Sequence, residues 1–425
     1  MTQLGGSDGI RSRVAWASAA VAVAALAVLL RVPLLTHESG DYRQYLLVWY
    51  RTLDREHFHA FATPFSDYSP AYLYLLWGAT AIPAGPLLAI KSVSIAFDLI
   101  LAGACAFLGR TAGLSGVRCL LVFGAILATP TVMLNSASWG QCDAVYGACV
   151  VAGIAEITRR RPNSGALAIG LGIAVKAQAA FILPWLLVMT LRSRFSWRSW
   201  AWLPVPFLVS IIPPAVLGRS VGDLLTTYVS QGEKYRQLTL GAPTVYAWLD
   251  VRQGFGTPGM FLAAAAILAA ALAAARWAKL DQRMDLLRLA LFFAIFVPFV
   301  APRMHERYFY LADILAVVYA VAVPRRAFVP LFVVAASFFS YLPFLYATNV
   351  VPLWALSLAM ACALLVVAID VFMPLSRKST AAVPDPNRNR AVLPVDGPDV
   401  LAPGALRAAP TGENASLGEG RASAG

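Results

Sequence analysis

Residues 302–309 read PRMHERYF, a cluster of charge between two strongly apolar stretches. Arg303 and Arg307 are fixed cations able to hold a phosphate through paired hydrogen bonds, and His305 can donate a hydrogen bond or a proton. Glu306 could instead pair them internally as a charged turn. A second stretch, SGDY, puts Asp41 within a few residues of the end of an apolar run, after a Ser-Gly that allows a sharp turn. A carboxylate held there, partly desolvated, is suited to take a proton from a hydroxyl. A third stretch, NSASWGQCDAVY, offers Trp139 as a flat face for a sugar ring and Asn135 and Gln141 as neutral donors for hydroxyls. Asp143 in the same stretch opens a helix, where a carboxylate also serves as a simple partner of the helix dipole. In VKAQ, Lys176 is an ammonium inside an apolar hairpin, with Gln178 beside it. It either snorkels to an interface or counters the charge of a lipid-borne phosphate. His57-x-His59 has metal-ligand spacing but no further fixed ligand, and reads as a solvated pair.

The elements that must position these groups are membrane helices. The chain has 425 residues, 59% hydrophobic and 13% charged, with a mean hydropathy of +0.67. This composition describes an all-α polytopic membrane protein. A net charge of +12 would suggest a nucleic-acid partner in a soluble protein. Here the arginines sit in short loops between apolar runs, so positive-inside topology explains them and nucleic acid is excluded. The five cysteines (Cys105, Cys119, Cys142, Cys149, Cys362) have no ligand spacing, which argues against a disulfide framework or a zinc site.

Apolar runs fall at about 14–35, 87–108, 117–134, 143–158, 164–175, 178–191, 200–218, 258–275, 286–301, 308–323, 327–344 and 351–373. Twelve crossings put both termini in the cytoplasm, together with Arg11/Arg13, Arg110/Arg118, Arg159 to Arg161, Arg192/Arg194/Arg198, Arg276/Lys279/Arg283, Arg325/Arg326 and Arg377/Lys378. The expected organisation is a cytoplasmic N-terminus over 1–13, a transmembrane domain over 14–373 and a disordered cytoplasmic tail over 374–425. Residues 36–86 form a first outer loop in which Tyr42, Tyr45, Trp49 and Leu53 recur at helical spacing, as in an interfacial amphipathic helix. Ala71–Ile82 is apolar but too short to span, and reads as re-entrant or interfacial. The stretches 164–175 and 178–191 read as a pair that does not cross fully, with Lys176 at its outer turn. On this topology PRMHER lies outside, against the usual charge bias, and a bound anion would explain it. No GxGxxG motif stands at a strand–helix junction.

Five stretches in order, SGDY, DYSPAYLY, NSASWGQCDAVY, AVKAQAAFILPWLL and MHERYFYLADIL, together resemble the GT-C glycosyltransferases. Among these, the chain is most similar to bacterial proteins related to the GPI mannosyltransferase II family, and more distantly to the glucosyltransferases that use dolichyl-phosphate glucose. The resemblance covers most of 14–373. It implies an outer-face catalytic cavity in the cell membrane, a polyprenyl-phosphate-linked sugar donor and an inverting hexosyl transfer to a glycan, lipid or protein acceptor. It also implies Asp41 as base, Asp67 and Tyr68 in the substrate site, His305 and Arg307 beside the donor phosphate, and Gln141, Asp143, Lys176 and Gln178 along the cavity. Ser69 stands where relatives commonly carry a second proline, which suggests a looser turn. No metal is required, though the acidic first loop could bind a divalent cation. The competing reading is a secondary transporter or flippase of lipid-linked sugars, which would set ionisable groups near the membrane midplane. Lys91 and Lys176 are the partial exceptions to their placement in loops.

Overall fold

The apolar runs become helices in this computed structural model, which describes residues 5–233, 237–249 and 256–373. The tail expected over 374–425 lies outside the described residues, as do residues 1–4. All described residues belong to one unit, Met1–Leu375. In chain order the helices are α1 (Gly5–Arg31), α2 (Leu47–Glu56), α3 (Pro70–Ala79), α4 (Pro86–Thr111), α5 (Gly116–Ala128), α6 (Pro130–Met133), α7 (Asp143–Thr158) and α8 (Pro162–Val175). They continue with α9 (Leu183–Leu191), α10 (Val205–Val216), α11 (Val221–Glu233), α12 (Gly256–Trp277), α13 (Arg283–Val300), α14 (Tyr310–Ala322), α15 (Phe328–Tyr346) and α16 (Leu353–Phe372). Two-residue strands β1 (Thr239–Leu240) and β2 (Met304–His305) pair in parallel.

Six of the described helical spans are long and apolar enough to cross a membrane, or seven if α5 and the bent segment 130–139 count as one. Their outward faces are apolar as well: Leu29, Phe261, Leu331 and Leu365 are all more than 60% exposed. Water would not tolerate such faces, and hydrocarbon does. The protein is therefore a multi-pass, almost wholly helical membrane protein.

Contacts between helix ends sort the chain into two ends. At one, Arg283 Nη1 donates to Thr111 O at 3.1 Å, the Arg159 guanidinium lies over the Phe107 ring at 5.1 Å, and Arg192 Nη1 donates to Ala275 O at 3.1 Å. Arg326 pairs with Asp370 where α15 begins and α16 ends. The basic turns thus gather together. At the other end, Lys91 meets the end of α1, Ser138 meets Tyr346, and Trp248 meets Trp354.

The stretches 164–175 and 178–191 form a hairpin whose two feet stand at the basic end. Ser199 Oγ, just past α9, donates to Asn163 Oδ1 at the start of α8 at 2.7 Å. Its tip, at Lys176, reaches the opposite end. Helices α7 and α8 approach so closely that a Cβ on Gly153 would lie 2.8 Å from Gly165 O, and one on Gly165 2.9 Å from Gly153 O. Only glycine fits at this crossing, a small-residue contact of the kind that brings membrane helices together. About ten residues further along each helix, that close contact aligns Asp143 with Lys176.

The first loop differs from its expected register in one respect. The buried stripe runs through Tyr42, Leu46, Trp49, Tyr50 and Leu53, and Tyr45 stands 36% exposed. A π turn over Tyr42–Leu46 adds a residue to the first turn and exchanges Tyr45 for Leu46.

The two-ended arrangement predicts opposite labelling. In a background with the five native cysteines replaced, Asp54→Cys and Thr348→Cys should react with an impermeant thiol reagent from one face of sealed vesicles, and Asn163→Cys and Arg194→Cys from the other. Mixed sidedness within either pair would contradict the fold.

Candidate active site

Several local devices deliver the polar side chains to one place. Ser39 Oγ accepts from Tyr42 N at 3.1 Å and donates to Trp139 O at 2.9 Å. It starts the helical turn after Asp41 and ties the first loop to 135–141; Gly40 shows no left-handed backbone, so the serine rather than the glycine makes this turn. Thr129, extended ahead of Pro130, bends the chain, and a π segment over Leu134–Trp139 ends at Gly140 in the left-handed region, φ 78°. That bend presents the flanking side chains, Trp139 and Gln141, to the same acid. Pairing of β1 with β2 holds Met304 and His305, while Arg303, at φ 64°, donates its backbone N–H to Leu238 O at 2.7 Å.

Asp41 is the hub. Its Oδ2 accepts from Gln141 Nε2 at 2.6 Å, Trp139 Nε1 at 2.9 Å and Arg307 Nη1 at 3.1 Å. Oδ1 has no protein partner among the described residues, and Asp41 lines a cavity of about 1370 Å³. Behind it, Asp143 is 1% exposed, ion-paired with Lys176, and accepts from Asn135 Nδ2 at 2.6 Å. Arg307 Nε stands 4.0 Å from Asp143, and Arg307 Nη1 3.4 Å from Glu306 Oε1. One guanidinium thus touches three acids, and its Nη2 has no protein partner among the described residues.

These surroundings set protonation. Burial, reinforced by the nearby Arg307 and Lys176 cations, lowers the His305 pKa to about 3, so the imidazole is neutral. Burial raises the Glu306 pKa to about 7, against the pull of Arg307 and with Asp41 and Asp143 adding to the rise. Arg307 loses some stability as a cation to burial, yet Asp41, Tyr68 and Glu306 raise its pKa further above an already high value. It is a fixed charge.

Ten of the twelve residues expected at the site line this cavity: Asp41, Asp67, Tyr68, Gln141, Lys176, Gln178, Arg303, His305, Glu306 and Arg307. Trp139 and Asp143 do not. Trp139 is fully buried, stacked on Phe344 with ring centroids 4.8 Å apart, and has no face to offer a sugar; its Nε1–H is the group that matters. Asp143 contacts Lys176 and Asn135 instead. Lys176 does not snorkel: it is 4% exposed and tied to Asp143, with Gln141 Oε1 at 3.5 Å. Ser69 does not loosen the DYSP turn. It caps α3 by accepting from Ala71 N, and it donates to Ala174 O beside Lys176. His57 and His59 are exposed in a short turn, and no group of three or more His, Cys, Asp or Glu among the described residues could hold a metal ion.

Other lining residues gave no sequence signal. Gln237, Thr239 and Gly241 come from an irregular segment whose only mark is Gly241 in TLGAPT, left-handed at φ 79°. Tyr308 is adjacent to the basic cluster. Met260, Ala263, Ala264 and Ile267 add an apolar wall from α12.

The chain is thus a helical membrane protein in which several acids and cations meet around a deep cavity. The sequence profile of glycosyltransferase family 87, a membrane family of GT-C type, matches residues 65–302, more than half of the chain. The chain belongs to glycosyltransferase family 87. No curated protein matches it. The matched span contains Asp67 through Gln178 of the site and stops before Arg303; Asp41 and Arg307 lie outside it.

Removing half of the Asp143–Lys176 pair should be costly and removing both halves much less so. Lys176→Met leaves a buried carboxylate and should lose about 3–5 kcal/mol in a reversible detergent-unfolding titration. Asp143→Asn combined with Lys176→Met should recover most of it. Equal loss in the single and double variants would contradict this reading of the pair.

Proposed function

We propose that the protein transfers a hexosyl unit from a polyprenyl-phosphate-linked donor to a hydroxyl of a glycan, lipid or protein acceptor, with inversion, outside the cytoplasmic membrane. The resemblance to the GPI mannosyltransferase II family favours a mannosyl unit, with other hexosyl units as the alternative. The observation that carries the proposal is the asymmetry of Asp41: Oδ2 holds three donors and Oδ1 is left for the cavity. Fixed on one oxygen, the carboxylate is oriented to take a proton with the other.

In this scheme the acceptor oxygen attacks the anomeric carbon as its proton passes to Asp41 Oδ1. The bond from that carbon to the phosphate oxygen breaks, and the phosphate leaves with the electron pair. Arg307 Nη2 and Arg303 stabilise the growing charge, and neutral His305 donates a hydrogen bond rather than a proton. Lys176 is occupied by Asp143 and acts through its field. The apolar α12 wall suits the prenyl chain, while Gln44, Tyr68 and Asp67 offer hydrogen bonds to sugar hydroxyls.

Sidedness follows from charge. Basic turns gather at the end of the bundle away from the cavity, and the positive-inside rule assigns that end to the cytoplasm, with both termini there. In this reading the twelve apolar runs, both hairpin arms included, are twelve crossings, of which six or seven are described helical spans long and apolar enough to cross by themselves.

Asp41→Asn should leave the fold and donor binding intact and lower transfer about 10²–10⁴-fold, measured with a radiolabelled polyprenyl-phosphate mannose. Full transfer by this variant would remove Asp41 from the mechanism. Glu306 makes a second prediction. With its pKa near 7, Glu306 is neutral below that pH and leaves Arg307 to the phosphate; above it, the new carboxylate competes. The donor KM should therefore rise as pH increases through 7, and Glu306→Gln should flatten that rise. An unchanged profile in Glu306→Gln would assign the pH dependence elsewhere.

A further inference from the structure

Lys91 is a buried ammonium in α4, 1% exposed, that the transfer scheme does not use. Its Nζ donates to Leu34 O at 3.1 Å, Leu35 O at 3.0 Å and His37 O at 2.5 Å. An ammonium has three protons, and here each has a backbone acceptor. These carbonyls belong to the last turn after α1, where helix geometry leaves oxygens without intrahelical partners. A cation there also suits the negative end of the helix dipole. Among the described residues Lys91 makes no ion pair with a carboxylate.

The position of that turn gives the arrangement its meaning. Two residues after His37 comes Ser39, whose hydroxyl bonds Trp139 O, and two further on comes Asp41. The aliphatic stem of Lys91 runs beneath the second partner: a Cβ built on Gly140 would sit 3.7 Å from Lys91 Cγ. Gly140 is the left-handed bend between Trp139 and Gln141, the two neutral donors to Asp41 Oδ2. The far side of the turn is braced by Tyr346, whose ring centroid is 4.9 Å from that of His37 and whose hydroxyl meets Ser138 Oγ at 2.7 Å. Lys91 therefore lies at the root of both segments that converge on the acid, one held by its ammonium and the other resting on its stem.

We propose that Lys91 is a positioning residue for Asp41: it fixes the register between 34–41 and 139–141, and so sets which oxygen of the carboxylate faces the cavity. The inference rests on Asp41 being the base of the transfer reaction.

The test uses the full-length protein in lipid nanodiscs. Lys91→Met keeps the stem and removes the donors; Lys91→Gln keeps an amide donor and serves where the methionine variant does not assemble. Either variant should lower kcat about 10–100-fold while donor KM changes less than about twofold, because phosphate contacts at 303–307 are untouched. Hydrogen exchange read by mass spectrometry should speed up in 34–41 and 139–141 and stay unchanged in 303–307. Asp370→Asn is the control. It disrupts a contact at the opposite end of the bundle, Asp370 with Arg326 and Tyr319, and should lower thermal stability without this kinetic split. An unchanged kcat, a rise in donor KM equal to the loss in kcat, or unchanged exchange in 34–41 would overturn the proposal. Absence of transfer by the wild-type protein would instead overturn the donor reading, and the exchange experiment would still decide whether Lys91 holds the two segments.

Discussion

One oxygen atom, Oδ2 of Asp41, accepts hydrogen bonds from an indole, a carboxamide and a guanidinium, which come from two distant parts of the chain. Burying a carboxylate at the edge of a membrane protein is tolerable only when its charge is matched in this way. The unusual local conformations nearby serve that convergence. The π segment and left-handed Gly140 set two donors on either side of one bend, and left-handed Arg303 starts the turn that carries Arg307. A left-handed residue with a side chain is strained, and Arg303 is held there by the β1–β2 pairing beside it.

The same accounting explains why Asp143 lies behind the cavity wall with Lys176 against it. Arg307 is surrounded by Asp41, Glu306 and Asp143, so its single charge cannot balance all three. Lys176 supplies a second cation to Asp143, and Glu306, with its pKa raised to about 7, can shed its charge by taking a proton. A phosphate arriving at this wall would find Arg307 least contested when Glu306 is protonated. Placement of Lys176 depends in turn on the glycine contact between α7 and α8, so a packing feature far from the cavity sets an electrostatic one.

Much of this was legible because membrane sequences are strict. Charge is so rare in the apolar background that SGDY, VKAQ and PRMHER stand out, and helix positions follow from run length. What could not be read was whatever depends on a register or a partner. Tyr45 and Leu46 exchange faces because of a π turn that no periodicity reveals. Trp139 looked like a platform for a sugar, but whether an indole is a face or a donor depends on Phe344 and Tyr341, two hundred residues away. Ser69 in place of proline suggests a looser turn by sequence, and only the fold brings Ala174 O within reach of its hydroxyl. Thr239 and Gly241 carry no periodic signal, since they are positioned by pairing with β2.

The family relation reaches only part of this arrangement. Residues 65–302 hold the framework of the site, Gln141, Asp143 and Lys176, whereas the acid and the guanidinium bonded to it come from outside the matched span. Neither half is complete alone: without Gln141 and Trp139 the acid would lose two of its three donors, and without Arg307 it would lose the cation paired with it. The assignment of Asp41 and Arg307 therefore rests on geometry. Their contact spans 266 positions in sequence and is closed by the same Oδ2 that binds the framework, so the two halves meet on the carboxylate whose other oxygen the proposed chemistry requires.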